Sequence, residues 1–384
     1  MVVTAACLVA SGTATASAAE KPAPKHKSKP GPVVVVSGLN NPRQLSLVNG
    51  NVLLVAEAGK GGTVATAPNP DGGPAQGLGY TGSISAVLAP SVVHGQQPHR
   101  IVTGLLSAAQ ATADANGPAG SGAIGPDGVS AKSLSDIAII ETTFGPATPA
   151  AAKKFDGQLL RTRPYSRPKA FANITGFEVK YDPDKMGVDS DPYAVLNYNG
   201  GWLVADAAGN DVLWVNRDRH ISVFAKFHNV TVGACAGQQD PPGFPGCNFV
   251  PTSLATDRWG NVYVGGLSSL TPGAAQVVKL DRHGHRLATW NGFTAVTGLA
   301  VGRDGSIYVS QLFATEANPA LPIIQGVLTK VSGNHRTNVD VPFPAGIALD
   351  SCGNVYVSAF SILPDTGAGI PGVDTSGQVW RLRT

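Results

Sequence analysis

Glu57, Glu141 and Asp206 each follow a short apolar run: Val52-Leu-Leu-Val-Ala56, Ile137-Ala-Ile-Ile140 and Trp202-Leu-Val-Ala205. Asn210 follows the third acid within Asp206-Ala-Ala-Gly-Asn210. Three carboxylates and an amide brought to one point would form an all-oxygen donor set. Such a set suits a hard divalent cation such as calcium, or a cationic group on a ligand. The alternative use of the same residues is local, as acceptors for backbone amides of neighbouring turns. The corresponding positions of three later segments are neutral: Gly265-Gly266, Ser310-Gln311 and Ser358-Ala359. Gln311 therefore joins the candidate ligand-binding set as an amide. Arg43 and Asp127 each follow a Pro that opens an apolar run. They are expected to approach from the opposite end of the strand pair to the acids. Arg43 would meet an anionic ligand or pair with a nearby acid.

Other chemistry is not encoded in familiar form. The chain lacks a Gly-x-Ser-x-Gly elbow, a Walker-type phosphate loop and a His-Glu-x-x-His zinc helix. Its eight His residues are scattered, which gives a Ser–His–acid triad no support. Asn173-Ile-Thr175 and Asn229-Val-Thr231 match the glycosylation pattern.

The elements that hold these residues are set by a repeat. Pro251–Val264, Val296–Val309 and Pro344–Val357 are copies of one phrase, starting 45 and 48 residues apart. Each reads as an apolar strand, a turn with Gly, and a second strand ending at Tyr-Val. A third strand follows at Ala275–Leu280, Gly326–Val331 and Gly377–Leu382, with a polar fourth strand near Arg286–Trp290 and Arg336–Val341. Four strands every ~40–50 residues are the signature of propeller blades. Degenerate copies start at Pro42, Pro126 and Pro192, which makes six. The sixth blade has three strands before Thr384, and Val33-Val-Val-Val36 has no blade of its own. The expectation is an all-β, six-bladed β-propeller closed by the N-terminal strand pairing into the last blade, which also removes exposed strand edges. Gly59–Tyr80 and Leu105–Gly125, rich in Gly, Ala and Pro, are expected to be irregular loops covering one face.

Composition agrees: 47 Gly and 29 Pro in 384 residues, with 14% charged, favour many short strands over long helices. Residues 1–19 are expected to be a secretory signal peptide, apolar and ending Ala16-Ser-Ala-Ala19. Residues 20–32 are expected to form a Lys/Pro-rich linker and 33–384 the propeller. The linker holds four Lys and one Glu, which accounts for the whole formal charge of +3. The propeller itself is formally neutral, so its charge balance gives no support for nucleic-acid binding. The run in 2–16 is also too short for a membrane span, and no transmembrane segment is expected in the mature chain. In an exported protein Cys235 and Cys247 are expected to form a disulfide closing the Gly/Pro-rich loop between them.

Val36-Ser-Gly-Leu-Asn-Asn-Pro-Arg43, Leu54-Val-Ala-Glu-Ala-Gly59, Tyr80-Thr-Gly-Ser-Ile84, Ser190-Asp-Pro-Tyr193, Val204–Asn210 and Val250-Pro-Thr-Ser253 together resemble the ScyD/ScyE family. These are exported proteins whose namesakes are encoded with a sunscreen-pigment pathway. The resemblance spans roughly residues 33 to 384 and implies an NHL- or TolB-like six-bladed propeller. It brings no catalytic residues with it. Gly125-Pro-Asp-Gly-Val129 departs from a Gly-Pro-His-Asp type start.

The leading expectation is a secreted, non-enzymatic binding or scaffold protein with an extracellular ligand or protein partner. The alternatives are a metal-dependent hydrolase or lactonase with its ion at the central channel, and an accessory protein of exported secondary-metabolite assembly.

Overall fold

The computed structural model describes residues 31–68, 74–114, 117–145, 148–313 and 326–383. The expected signal and most of the linker lie outside them. The described chain is an all-β propeller of six sheets in a ring, with one short α-helix, Ile174–Tyr181. Blade 1 is built from Pro42–Val48, Val52–Glu57, Gln76–Leu88 and Arg100–Gln110, and blade 2 from Pro126–Ser133, Asp136–Glu141, Gln158–Thr162 and Lys169–Asn173. Blade 3 comprises Pro192–Tyr198, Gly201–Asp206, Asp211–Val215 and Ile221–Lys226. Blade 4 comprises Pro251–Thr256, Val262–Gly266, Ala275–Leu280 and Arg286–Phe293. Val296–Val301, Ile307–Gln311, Val327–Ser332 and His335–Asp340 form blade 5. Blade 6 has Ile347–Leu349, Asn354–Ala359 and Gly377–Arg383, and its outer strand is the N-terminal Val33–Leu39. That strand runs antiparallel to the last one, with Val33 opposite Arg381 and Leu39 opposite Gly377. The ring therefore closes as the repeat count requires.

The apolar runs are continuous because every blade is buried on both faces. Successive side chains of a strand point to opposite faces, so one strand feeds two interfaces. Leu54 and Ala56 pack toward blade 2 with Val129, Ile137 and Leu160, whereas Leu53 and Val55 pack toward blade 6 with Tyr356 and Val379. Each of the six interfaces between neighbouring blades has its own apolar cluster.

The repeated Asp-x-x-Gly-Asn phrase is a hairpin device. Asp350 Oδ1 accepts the amides of Cys352 and Asn354, each at 2.9 Å, and Oδ2 accepts the Tyr356 hydroxyl at 2.9 Å. Asp257 does the same for Trp259 and Asn261. The Gly of each turn sits at positive φ, +81° at Gly260 and +82° at Gly353, where a side chain would be strained.

One expectation is corrected. The segments expected to be irregular contain ordered strand: Ala65–Ala67 pairs with Gln76–Leu78, and Gln76–Gly79 pairs with Ser107–Gln110. Their Gly/Ala content reflects close backbone packing. A Cβ on Gly79 would lie 2.6 Å from Gly61 O, and one on Gly77 would lie 2.4 Å from Gly62 O.

In these antiparallel sheets the long connections share one end of the ring. The second-to-third and fourth-to-first links include 111–125, 142–157, 174–191, 227–250 and 360–376. The other end carries mostly short hairpins, such as 49–51, 134–135, 199–200 and 302–306.

Candidate functional site

The loop-bearing end of the channel is shaped by a repeated irregularity. Pro42 pairs with Glu57, Pro126 with Glu141, Pro192 with Asp206, Pro251 with Gly266 and Val296 with Gln311. In each pair the register slips immediately afterwards, at Arg43, Asp127, Tyr193, Thr252 and Thr297. A β-bulge leaves its extra residue unpaired and re-aims the side chain. Five blades thus present a bulged residue at the same level. Below that level the channel narrows to a cavity of about 70 Å³ lined by the inner strands, among them Gln44, Ser46, Ser130, Ser253 and Gly346.

This pairing corrects the expected placement of Arg43 and Asp127. The start of a first strand lies beside the end of the second, so both residues sit at the same end as Glu57 and Glu141.

The bulged residues stitch neighbouring blades together in two ways. On the neutral side, Thr252 Oγ1 donates to Val296 O at 2.5 Å, and Thr297 Oγ1 donates to Pro344 O at 2.7 Å. Ser358 Oγ closes the ring by donating to Arg43 O at 2.7 Å. Blades 1 to 3 use charge instead. Arg43 Nε lies 3.1 Å from Asp127 Oδ1 in an ion pair, its Nη2 donates to Ala123 O, and Tyr193 is hydrogen-bonded to it. Arg43 is 8% exposed and Asp127 1%.

Around this guanidinium the structure gathers more acid than base. Glu141 is fully buried with both carboxyl oxygens unpartnered. Burial first, then Asp127 and Asp156, hold its pKa well above the ordinary carboxyl range. Burial also pushes Asp127 up to about 7, despite Arg43. Asp191 accepts from Thr142 Oγ1 and is raised by burial, and burial pushes the Tyr193 hydroxyl up to about 12. The mouth therefore offers a Glu141 that burial shifts toward its protonated form, a Tyr193 phenol, and an Arg43 paired with Asp127.

The other expected site residues have partners of their own. Glu57 accepts from Asn40 N at 2.8 Å, Ser85 Oγ at 2.6 Å and Arg100 Nη2 at 2.8 Å. Asp206 accepts from Ser190 Oγ and Asp191 N, both at 2.7 Å, and from Gly209 N at 3.2 Å. Asn210 donates to Asp184 Oδ2 at 3.0 Å and accepts from Val250 N at 3.0 Å. Gln311 accepts from Thr294 N and donates to Thr329 Oγ1. Among the described residues, the one set of three acidic, His or Cys side chains close enough to share an ion is Glu178, Asp182 and Asp184, and it contains none of Glu57, Glu141 or Asp206.

Sequence reasoning missed Tyr193, Asp191, Thr252 and Thr297. Their signal was present: each lies beside the Pro or Val that opens a blade, and aligning that position would have displayed the ring. The Cys235–Cys247 disulfide is formed and buried, in the connection between blades 3 and 4. Cys352 is free and exposed on a hairpin at the other end. Among the described residues no helix is long and apolar enough to cross a membrane.

No family model matches this chain, and no curated protein does. Solved structures do match. A calcium-binding protein, regucalcin, from Agrobacterium tumefaciens is 9% identical, with a TM-score of 0.50, over 92% of this chain and 93% of that one. A protein of unknown function from Bacteroides thetaiotaomicron is 10% identical, also at 0.50, over 91% of this chain and 74% of that one. A putative gluconolactonase is 12% identical at 0.46, over 91% and 90%. At such identities the two likenesses at 0.50 bear on fold alone, and they agree with the ring of six sheets described above.

Proposed function

We propose that this is an exported binding or scaffold protein of the ScyD/ScyE type, taking a polar ligand at the loop-bearing mouth of its channel. The observation that carries the reading is the partnering of the candidate residues. Glu57, Asp206, Asn210 and Gln311 are occupied by partners in their own blade or an adjoining connection, while Glu141, Asp127, Arg43 and the half-buried Tyr193 form one polar group at the mouth. Arg43 is engaged by Asp127 and Ala123 O, so the site favours an uncharged polyhydroxyl or a cationic group over an anion. The disulfide and the long connections at that end support an extracellular setting and a recognition surface. Service to exported secondary-metabolite assembly is one biological form of the same reading.

A lactonase would need an ion held in reach of an open position and an acid or base. Assay of residues 20–384 against sugar lactones and aryl esters, with and without calcium, separates the two. We expect no turnover above that of Glu141→Gln. A calcium-dependent rate lost in Glu141→Gln would overturn the binding reading.

A further inference from the structure

A second acidic group lies off the channel, where the chain passes from blade 2 to blade 3. Asn173 caps the helix Ile174–Tyr181 by accepting from Gly176 N at 2.8 Å. The helix ends at Asp182, in the left-handed region at φ 40°, whose amide returns to Glu178 O. That reversal brings Asp182 and Asp184 back beside Glu178, so that one oxygen of each lies within 4.8 Å of the others. Oxygens on opposite sides of a calcium ion, each ~2.4 Å from it, stand about 4.8 Å apart. The three carboxylates therefore already fit around one such ion.

Two observations independent of this spacing point to a missing ligand. Glu178 is 1% exposed with Oε1 unpartnered, and Asp211 of blade 3 is fully buried with both oxygens unpartnered. Asp211 acts electrostatically on the same neighbourhood: Asp206, Glu178 and Asp184 are the acids that raise its pKa after burial. The backbone approach is also built for it. Gly209 faces Glu178, and a Cβ there would stand 3.2 Å from Glu178 Oε2 and 3.2 Å from Asp206 Cγ. Buried carboxylates without partners are costly, and here Glu178 and Asp211 lie beside three further acids, Asp182, Asp184 and Asp206, with essentially one ammonium among them. Lys226 acts on Asp211, but its Nζ donates to Pro183 O at 3.0 Å.

The geometry points to a calcium site formed by Glu178, Asp182 and Asp184, with Asp211 and Asp206 behind it on the blade 3 turn. All donors are oxygen, which selects a hard cation over zinc or copper. Several partly flexible carboxylates suit calcium better than magnesium, which demands near-ideal octahedral geometry. The ion would clamp the connection 182–191 to the turn 206–211. This site shares no triad residue with the channel mouth, and it stands or falls independently of the ligand proposed there.

The test is titration of chelator-treated residues 20–384 with calcium chloride, read by calorimetry and by thermal unfolding. We expect one ion bound and an unfolding midpoint raised by several degrees in millimolar calcium. Glu178→Gln should abolish that rise while raising the calcium-free midpoint, because it removes a buried acid. Asp182→Asn should weaken binding by at least tenfold. Glu141→Gln, at the channel mouth, should bind calcium as wild type does. No heat and no midpoint shift at 10 mM calcium, or an undiminished shift in Glu178→Gln, would overturn the site. Loss of the shift in Glu141→Gln alone would place the ion at the mouth instead and overturn it equally.

Discussion

At the residue scale the informative groups are buried acids without partners. Glu141 keeps its proton in the folded chain over a pH range in which the unfolded chain, titrating near ~4.3, has lost it. The folded form thus binds more protons, and its stability falls as pH rises above the ordinary carboxyl value toward the raised folded one. Asp127, raised to about 7, acts in the same sense between its ordinary value and neutrality. Glu141→Gln removes the ionisation, so its stabilising effect should be larger at pH 8 than at pH 5 in thermal unfolding of metal-free protein. An equal gain at both would mean that Glu141 is not the buried acid described. The turn aspartates carry the opposite sign. Asp350 and Asp257 are held below the ordinary range by hydrogen bonds that outweigh their burial. Their contribution is present above the ordinary value and is lost as pH falls through the folded one. Together these groups predict greatest stability in mild acid. Arg43→Met would leave Asp127 buried without its cation, a change that costs about 3–5 kcal/mol when the charge cannot be shed. Because Asp127 can take up a proton near neutrality, the loss should be visibly smaller at pH 5 than at pH 8.

Among the elements, legibility followed local pattern. The late blades were readable because Asp-x-x-Gly-Asn turns and Tyr-Val strand ends are local devices, each closed by bonds within a few residues. The carboxylates after the second strands were readable as positions, but their partners were not. Glu57 is satisfied by Arg100, 43 residues away, and no spacing rule announces that pairing. The Gly/Ala segments were misread because close backbone approach and irregular loop demand the same composition. The helix Ile174–Tyr181 is two turns long with five of its eight residues buried or half-buried, and such elements owe little to propensity. The disulfide was foreseen because its cysteines flank a loop of matching composition. It joins residues 12 apart, a closure worth about 3 kcal/mol in chain-entropy terms. Cys235→Ala with Cys247→Ala should raise hydrogen exchange across 230–247 and lower the unfolding midpoint, leaving the other blades protected. Faster exchange throughout the ring would mean that the loop supports more than its own blade connection.

The whole molecule is a closed circuit of six apolar interfaces, and one strand from each terminus completes it. Removing 33–39 would expose the last strand as a free edge and uncover Tyr356 and Val379. The shortened chain should aggregate on mild heating, whereas a chain begun at residue 31 should not. The two ends of the ring differ: one has short hairpins, and the other, where we place the ligand, has the long connections, the bulged ring and the buried acids. The most direct test of that assignment is ligand-observed NMR of residues 20–384 against a panel of sugars, polyols and small amines. Wild type, Arg43→Met and Tyr193→Phe would be compared with Arg303→Ala, a hairpin variant at the other end. The account predicts binders that are lost in Arg43→Met and Tyr193→Phe and kept in Arg303→Ala. No binder, or binding that survives both mouth variants and disappears in Arg303→Ala, would contradict it.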